Sequence, residues 1–378
     1  MYYQLVMVII SFNFRCKECR ACEENCSIFL ETGNGAAYEK LDIIERLKEK
    51  KPLTKTDIDT IFLCTKCEAC QESCPEEIPL IELYDWARNK IVQQYGLRNK
   101  KQKILIKNIK KWGNPFGNEG SRLTAVDSEL LDKRLFKDTD DSPPSKILLH
   151  FGCMLGYRLQ SMRDDTLEIL ELLKIDYSLL ENELCCGYFI WNTGDHESAR
   201  TIIEKNQKYF KYFDKIICAC AGCYTFFKKH YPNSEKFVHF IEVINQKLPA
   251  KGNNKPVEKD IKKSYIFHDS CHLTRPHKIT QPPRKIMKRM GMKLEEFPHN
   301  GEKGLCCGAD GGMRIINPEL AVRIGKVRVQ EAKKSGADAL LTLCPFCIFN
   351  FRDALPEKGE GLAIKGLYNE IKQWLSTK

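Results

Sequence analysis

Nineteen cysteines in 378 residues constrain this chain more than any other feature. The number is odd, so the thiols cannot all pair within one chain. Eight lie within residues 16–74 and eleven within 153–347. The opening stretch, "MYYQLVMVIISFNFRC", holds an apolar run of only six residues, Leu5–Ile10. That run is too short to span a bilayer and lacks a basic flank and a cleavage site. No other stretch approaches a membrane span. The expectation is a cytoplasmic chain that does not itself cross a membrane. In a reducing compartment so many thiols imply metal rather than disulfides.

The first zone is specific. "CKECRACEENC" places Cys16, Cys19, Cys22 and Cys26, and "CTKCEACQESCP" places Cys64, Cys67, Cys70 and Cys74. Each run reads C-x2-C-x2-C-x3-C, the bacterial ferredoxin spacing for [4Fe–4S] clusters. Three close thiolates wrap one face of a cube, and the fourth cysteine of each run serves the other cluster. One cluster is therefore expected on Cys16, Cys19, Cys22 and Cys74, and the other on Cys64, Cys67, Cys70 and Cys26. Structural zinc usually takes two C-x2-C pairs rather than two runs of four. Ser27 stands where a proline is usual. After Pro79, apolar residues at Leu80, Leu83, Tyr84, Ala87 and Ile91 have helical spacing, with Gly96 as C-cap.

The second zone repeats itself. "KILLHFGC" (146–153) matches "KSYIFHDSC" (263–271), and "KIICACAGC" (215–223) matches "ALLTLCPFC" (339–347). Between them stand two Cys-Cys-Gly units, Cys185-Cys186-Gly187 and Cys306-Cys307-Gly308. The offsets of 118, 121 and 124 residues imply two halves on one plan. "ILLHF", "KIICA" and "ALLTL" read as buried strands. Helices are expected after the N-caps Asp195 and Asn317, the second ending before Gly336. Strand–helix alternation argues an α/β unit in each half. Each half offers five cysteines, Cys153, Cys185, Cys186, Cys220 and Cys223, then Cys271, Cys306, Cys307, Cys344 and Cys347. Five thiolates exceed what one tetrahedral metal takes. They suit a larger or distorted iron–sulfur cluster, and the glycine after each pair allows a close approach or a positive φ.

With "CAGCY", "HDSCHL", "CCGADGG", "CPFC" and "GNPFG" (113–117), the chain resembles the CCG-domain iron–sulfur oxidoreductases, most of all heterodisulfide reductase in its single-chain catalytic form. The resemblance implies an α+β multidomain fold. A helical two-[4Fe–4S] ferredoxin domain (1–129) and a linker (130–146) precede two homologous α/β CCG domains (147–250 and 262–378), joined by "PAKGNNKPVEKD" (249–260). It implies a noncubane [4Fe–4S] cluster on each five-cysteine set. Electrons would pass from the two cubane clusters to the paired ones and cleave a disulfide such as the coenzyme M–coenzyme B heterodisulfide. Relatives in the same family serve instead as electron-transfer subunits of flavin-dependent glycerol-3-phosphate, glycolate or lactate dehydrogenases feeding quinone. No G-x-G-x-x-G occurs, so a flavin would sit on another chain.

A partner is implied either way, a membrane cytochrome b-type subunit or a flavoprotein subunit, so the chain would be cytoplasmic or peripheral on the inner membrane face. His272 and Arg275, in "CHLTRPHK", are the candidate catalytic residues. Arg275 would bind the anionic groups of a small disulfide substrate, and His272 would protonate a leaving thiolate. His277, Arg158 and Arg314 are further candidates of the same kind. Asp310 is expected to cap the turn at Gly311 and Gly312. His150 and His268 each precede a ligand cysteine by three residues and fit either a sulfur contact or a core position. Cys218 fits a buried strand position. The net charge of +10 alone does not make a nucleic-acid protein, and none is expected as partner. The basic run 98–115 would face a partner, a membrane or solvent.

Overall fold

The computed structural model describes residues 16–97, 99–249, 263–355 and 361–377. The apolar run Leu5–Ile10 and all but the first residue of the connector 249–260 lie outside them.

The N-terminal domain is helical. Helices Ala37–Lys48, Lys55–Phe62 and Leu80–Tyr95 pack around Ile43, Ile44, Leu47, Ile58, Ile61, Leu83, Tyr84, Ala87 and Ile91. Thr54 caps the second of these by accepting from Asp57 N at 3.1 Å, and Gly96 ends the third. Helix Leu80–Tyr95 is buried on a second face that is polar: Asp85, Arg88 and Asn89 are all covered. Apolar spacing locates only the face against the helices. The polar face lies against the rest of the chain.

That rest is two parallel sheets of the same order. Strands β1 (Leu135–Phe136), β2 (Ile147–His150), β3 (Leu179–Leu180), β4 (Lys215–Cys218) and β5 (Phe237–His239) build the first half. Strands β6 (Ser264–His268), β7 (Lys293–Glu295), β8 (Ala339–Thr342) and β9 (Ala363–Gly366) build the second. The second sheet runs β7-β6-β8-β9, and the first runs β2-β4-β5, with Ser178 bridged to Leu148 on the outer side of β2. Every pairing is parallel, and the inner strands β2, β4, β6 and β8 are buried and largely apolar. The stretch expected as linker carries the end of helix Ser128–Arg134 and β1, whose Leu135 and Phe136 pair with Leu179 and Leu180 of β3.

The halves embrace. The last helix of the second half, Leu367–Ser376, lies on helix Gln160–Leu172 of the first, where Lys372 pairs with Asp165 at 2.8 Å. Reciprocally, helix Phe240–Lys247 of the first lies on helix Gln281–Arg289 of the second, where Arg289 donates to Asn245 O at 2.8 Å. Phe240 and Tyr368 meet edge-on near the centre, with ring centroids 5.1 Å apart. Asp195 and Asn317 cap helices His196–Phe210 and Pro318–Lys334 by accepting from Ser198 N (3.0 Å) and Leu320 N (3.1 Å). No helix among the described residues is long and apolar enough to cross a membrane.

One arginine joins all three parts. Arg88 is fully buried and donates to Ile61 O, Phe62 O and Cys64 O of its own domain, to Asn192 O of the first half and to Gly311 O of the second. Arg88→Ala should orphan these carbonyls and cost about 3 kcal/mol or more. It should lower the midpoint of anoxic thermal unfolding well below that of a surface control such as Lys133→Ala.

Candidate cysteine-ligated metal centres

The two N-terminal runs share one backbone. Glu18 and Arg20 in the first, and Lys66 and Glu68 in the second, are left-handed, with φ of 52°, 61°, 52° and 67°. This conformation is unfavourable for non-glycine residues, and its recurrence at matching positions marks a built device. It curls each loop over its own sulfurs: Glu18 N donates to Cys16 Sγ at 3.4 Å and Lys66 N to Cys64 Sγ at 3.3 Å. One cavity is lined by Cys64, Cys67 and Cys70 of the second run together with Cys26 of the first. The runs adjoin where Asn25 Nδ2 donates to Ser73 Oγ at 3.1 Å and Lys17 pairs with Glu76 at 2.5 Å.

In the two halves the cysteines gather at the carboxyl ends of the strands, where open parallel sheets form their sites. Cys153 follows β2, Cys220 follows β4, Cys271 follows β6 and Cys344 follows β8. Thiol contacts run Cys153–Cys185–Cys186–Cys223–Cys220 in the first half. They run Cys271–Cys306–Cys307–Cys347–Cys344 in the second, in the same order. Cys307 Sγ and Cys347 Sγ are 3.2 Å apart. Thiol hydrogen bonds from Cys306 and Cys347 hold Cys307 down at about 6. At the matching position burial opposes ionisation, yet contacts with Cys185 and Cys223 bring Cys186 to about 6 as well.

Gly187 and Gly308 start the next segment with φ of 98° and 89°. A Cβ on Gly308 would sit 2.6 Å from Ala321 O. Their N–H groups turn back onto Cys185 Sγ (3.5 Å) and Cys306 Sγ (3.4 Å). All nineteen cysteines are free. Clustered free sulfurs that accept backbone N–H groups are the donor chemistry of iron–sulfur ligation.

Both halves line one small cavity of about 20 Å³. Cys153, Cys186, Cys220 and Cys223 line it from the first half and Cys344 from the second. One wall is apolar, with Phe189 and Phe346 rings 5.3 Å apart. The other holds Asp310 and Tyr188. Behind that wall, His272 Nε2 is 2.5 Å from Asp310 Oδ2 and 3.2 Å from Tyr188 Oη. Burial pushes the Asp310 carboxyl up to about 6 and pulls the His272 imidazole down to about 4. A roomier cavity, about 470 Å³, lies between Phe62, Ile91 and Ile316. It has no cysteine among its lining residues.

The candidates separate accordingly. His272 joins the cavity network. Arg275 does not line the cavity: its guanidinium donates to Glu302 O (2.9 Å), Cys67 O (2.7 Å) and Gly304 O. Its donors are engaged by backbone, so it holds the second cysteine run against the second half. His277 is 3.2 Å from Thr225 Oγ1, Arg158 stacks on Phe116 and Arg314 bonds Asn350, all away from the cavity lining. Asp310 Oδ1 accepts from Gly311 N at 2.7 Å, so the turn cap and the cavity carboxylate are one residue. A ring nitrogen of His268 lies within 4.8 Å of Cys307 Sγ and Cys347 Sγ, whereas His150 is 3.6 Å from Glu183. Cys218 is wholly buried on β4 between His150 and His239.

A cysteine-rich domain profile, CCG, matches residues 147–228 and again 265–352, and a 4Fe-4S dicluster profile matches 13–78. One polypeptide of the dihydromethanophenazine:CoB–CoM heterodisulfide reductase of Methanosarcina acetivorans is 30% identical over 292 residues, covering 73% of this chain and 68% of that one. The chain belongs to the CCG iron–sulfur oxidoreductase family. One polypeptide of the CoM/CoB fumarate reductase of Methanothermobacter marburgensis is 29% identical over 235 residues, covering 61% of this chain and 46% of that one. The EtfAB:quinone oxidoreductase of Syntrophomonas wolfei is 26% identical over 296 residues, covering 74% of this chain and 41% of that one. Several relatives are therefore more than twice as long as the part that they share with this CCG chain.

Sequence reasoning missed contacts that only folding creates. Cys67 meets Cys306 thiol to thiol, joining the second run to the second CCG half. Ser27, the departure from ferredoxin spacing, accepts from Cys306 N at 3.1 Å. Ser27→Pro should keep the helix start, because proline suits a first-turn position. It should still orphan a buried N–H at a cost of about 1–3 kcal/mol, read as a lower anoxic thermal midpoint. Ser27→Thr, which keeps the hydroxyl, should restore most of it.

Proposed function

We propose that this chain is the disulfide-cleaving member of its CCG oxidoreductase, acting on an unsymmetrical anionic disulfide such as the coenzyme M–coenzyme B heterodisulfide. The observation that carries the reading is a cavity lined by cysteines of both halves. A protein that only relays electrons has no need of a shared chamber between two such sets. The reading assigns Cys16, Cys19, Cys22 and Cys74 to one cubane cluster and Cys64, Cys67, Cys70 and Cys26 to the other. It assigns the two five-cysteine sets to two further [4Fe–4S] clusters, noncubane by family resemblance. When bound, these clusters supply the electrons, two of which a disulfide takes up together with two protons to give two thiols.

The remaining work falls to side chains. Phe189 and Phe346 would exclude water from one end of the substrate. Asp310 would hold a proton at Oδ2, oriented by His272 Nε2 and Tyr188 Oη, and pass it to a departing thiolate. Unlike walls suit a disulfide with unlike halves. The +10 net charge favours anionic partners. Helix Lys100–Trp112 buries Leu105, Ile106 and Ile109 and exposes Lys100, Lys101, Lys103, Lys107, Lys110 and Lys111. That face supports docking to a membrane-bound cytochrome b-type subunit. The likeness to an EtfAB:quinone oxidoreductase over 74% of this chain favours a second reading, electron transfer from a flavoprotein partner to quinone.

Anoxically purified protein should hold about sixteen irons, four in each of four clusters. With reduced viologen as donor, it should oxidise the dye in the presence of the heterodisulfide. Fully loaded protein that passes electrons to a quinone analogue and never to the disulfide would establish the second reading. Asp310→Asn should lower disulfide turnover by about 10²-fold or more without changing the iron content.

A further inference from the structure

The "GNPFG" segment is a family motif with no part in the reading above, and it lies outside both CCG matches. It is held stiffly. Asn114 Nδ2 donates to Trp112 O (2.9 Å) and Asn118 O (2.7 Å), while its Oδ1 accepts from Phe116 N and Asn118 N, each at 3.1 Å. Gly113 O accepts from Cys185 N at 2.7 Å, so the segment rests on the vicinal pair of the first half. A few residues on, Arg122 turns inward, only 3% exposed. Its Nη2 lies 3.0 Å from Gly113 O and 3.4 Å from Cys153 Sγ. Glu183 pairs with the same guanidinium and accepts from Phe151 N and Gly152 N, each at 2.9 Å, just before Cys153. Arg163 Nη1 fixes the Arg122 backbone carbonyl at 2.8 Å.

The second half lacks this device. There the first vicinal cysteine, Cys306, is anchored by the neutral Ser27 hydroxyl. Arg275 stands close enough to Cys271 and Cys306 for charge interaction, but it directs its N–H donors to Glu302 O, Cys67 O and Gly304 O rather than to a sulfur. One five-cysteine set therefore receives a guanidinium N–H on a ligand sulfur, and the other does not.

We propose that Arg122 is a positioning residue that raises the reduction potential of the first CCG centre above that of the second, making the half remote from Cys67 the preferred resting place of an electron. The proposal rests on the ligand assignment above. Reduction adds negative charge to a thiolate-bound centre. A hydrogen bond to a ligand sulfur stabilises that added charge, and a charged donor does so more strongly than a neutral one. Burial strengthens the effect. Glu183 orients the guanidinium and offsets part of its charge. Both sets have a guanidinium nearby, but among the described residues only the first has one bonded directly to a ligand sulfur.

The test is an anoxic redox titration of the holoprotein followed by electron paramagnetic resonance. In Arg122→Gln, one CCG centre should move to a lower midpoint while the other and both N-terminal centres stay in place. In Glu183→Gln, which keeps the guanidinium and removes its neutralising partner, the same centre should move upward. Arg122→Lys, which keeps the charge, should recover part of the loss. If Arg122→Gln fails to retain the centre, the direction of the Glu183→Gln shift decides. Midpoints unmoved in every retained variant, or all centres shifting together, would overturn the proposal. Wild-type protein without any signal beyond its N-terminal clusters would overturn the ligand assignment as well.

Discussion

A guanidinium with no exposure to water organises this molecule. Arg88 finds five carbonyl oxygens drawn from the N-terminal domain and from both CCG halves. Arginine suits such a place because its charge is permanent and its donors fan out in a fixed plane. Lysine would offer three donors from one point and fewer carbonyls would be met. Two of the acceptors are diagnostic. Cys64 O opens the second cysteine run, and Gly311 O follows the second vicinal pair. Arg275 repeats the device from the other side, binding Cys67 O and two carbonyls of the 302–304 turn. The loop from Cys64 to Cys67 is thus clamped by two buried cations, and the contact between Cys67 and Cys306 follows from that clamp.

The second constraint is the near-repeat of the halves. Parallel strands put their carboxyl ends at one edge of each sheet, and the reciprocal packing of the terminal helices turns those edges toward each other. A shared cavity is the geometric result. Its two walls differ because equivalent positions hold unlike residues. Phe189 stands third after Cys186, where the other half has Asp310 third after Cys307. Gly222 stands before Cys223 where Phe346 stands before Cys347. Together the exchanges give the cavity a polar side and an apolar side.

Much of this was legible in the sequence because cysteine spacing and strand hydrophobicity are local. The runs of four, the vicinal pairs, the strands β2, β4 and β8, and the caps Asp195 and Asn317 each depend on neighbours within a few residues. Arg275 was not legible in the same way. Beside a cysteine ligand it reads as an anion binder, yet its partner Cys67 is 208 residues away in the chain. Helix Leu80–Tyr95 likewise shows one apolar face to the eye. Its second face is buried through Asp85, Arg88 and Asn89, and buried polar contacts leave no periodicity to read. Asp310 reads correctly as a turn cap, but its second oxygen meets His272 only once both halves are folded. Ser27 looks like a small fault in a ferredoxin pattern until the structure supplies Cys306 N as its partner.

Ser27 and Gly113 together change how the N-terminal domain should be viewed. In each half the first cysteine of the vicinal pair sends its backbone N–H outside the CCG unit, Cys185 to Gly113 O and Cys306 to Ser27 Oγ. A buried amide left without an acceptor is costly, so neither pair is complete without the N-terminal domain. Both acceptors lie close to chemistry of their own, Ser27 directly after Cys26 and Gly113 within the segment that delivers Arg122. The domain is therefore part of each centre's wall rather than an appended electron module. The same folding step that joins it to the halves fixes the backbone around both five-cysteine sets. Separated CCG halves would keep their ten sulfurs and lose the anchors that hold the vicinal pairs in place.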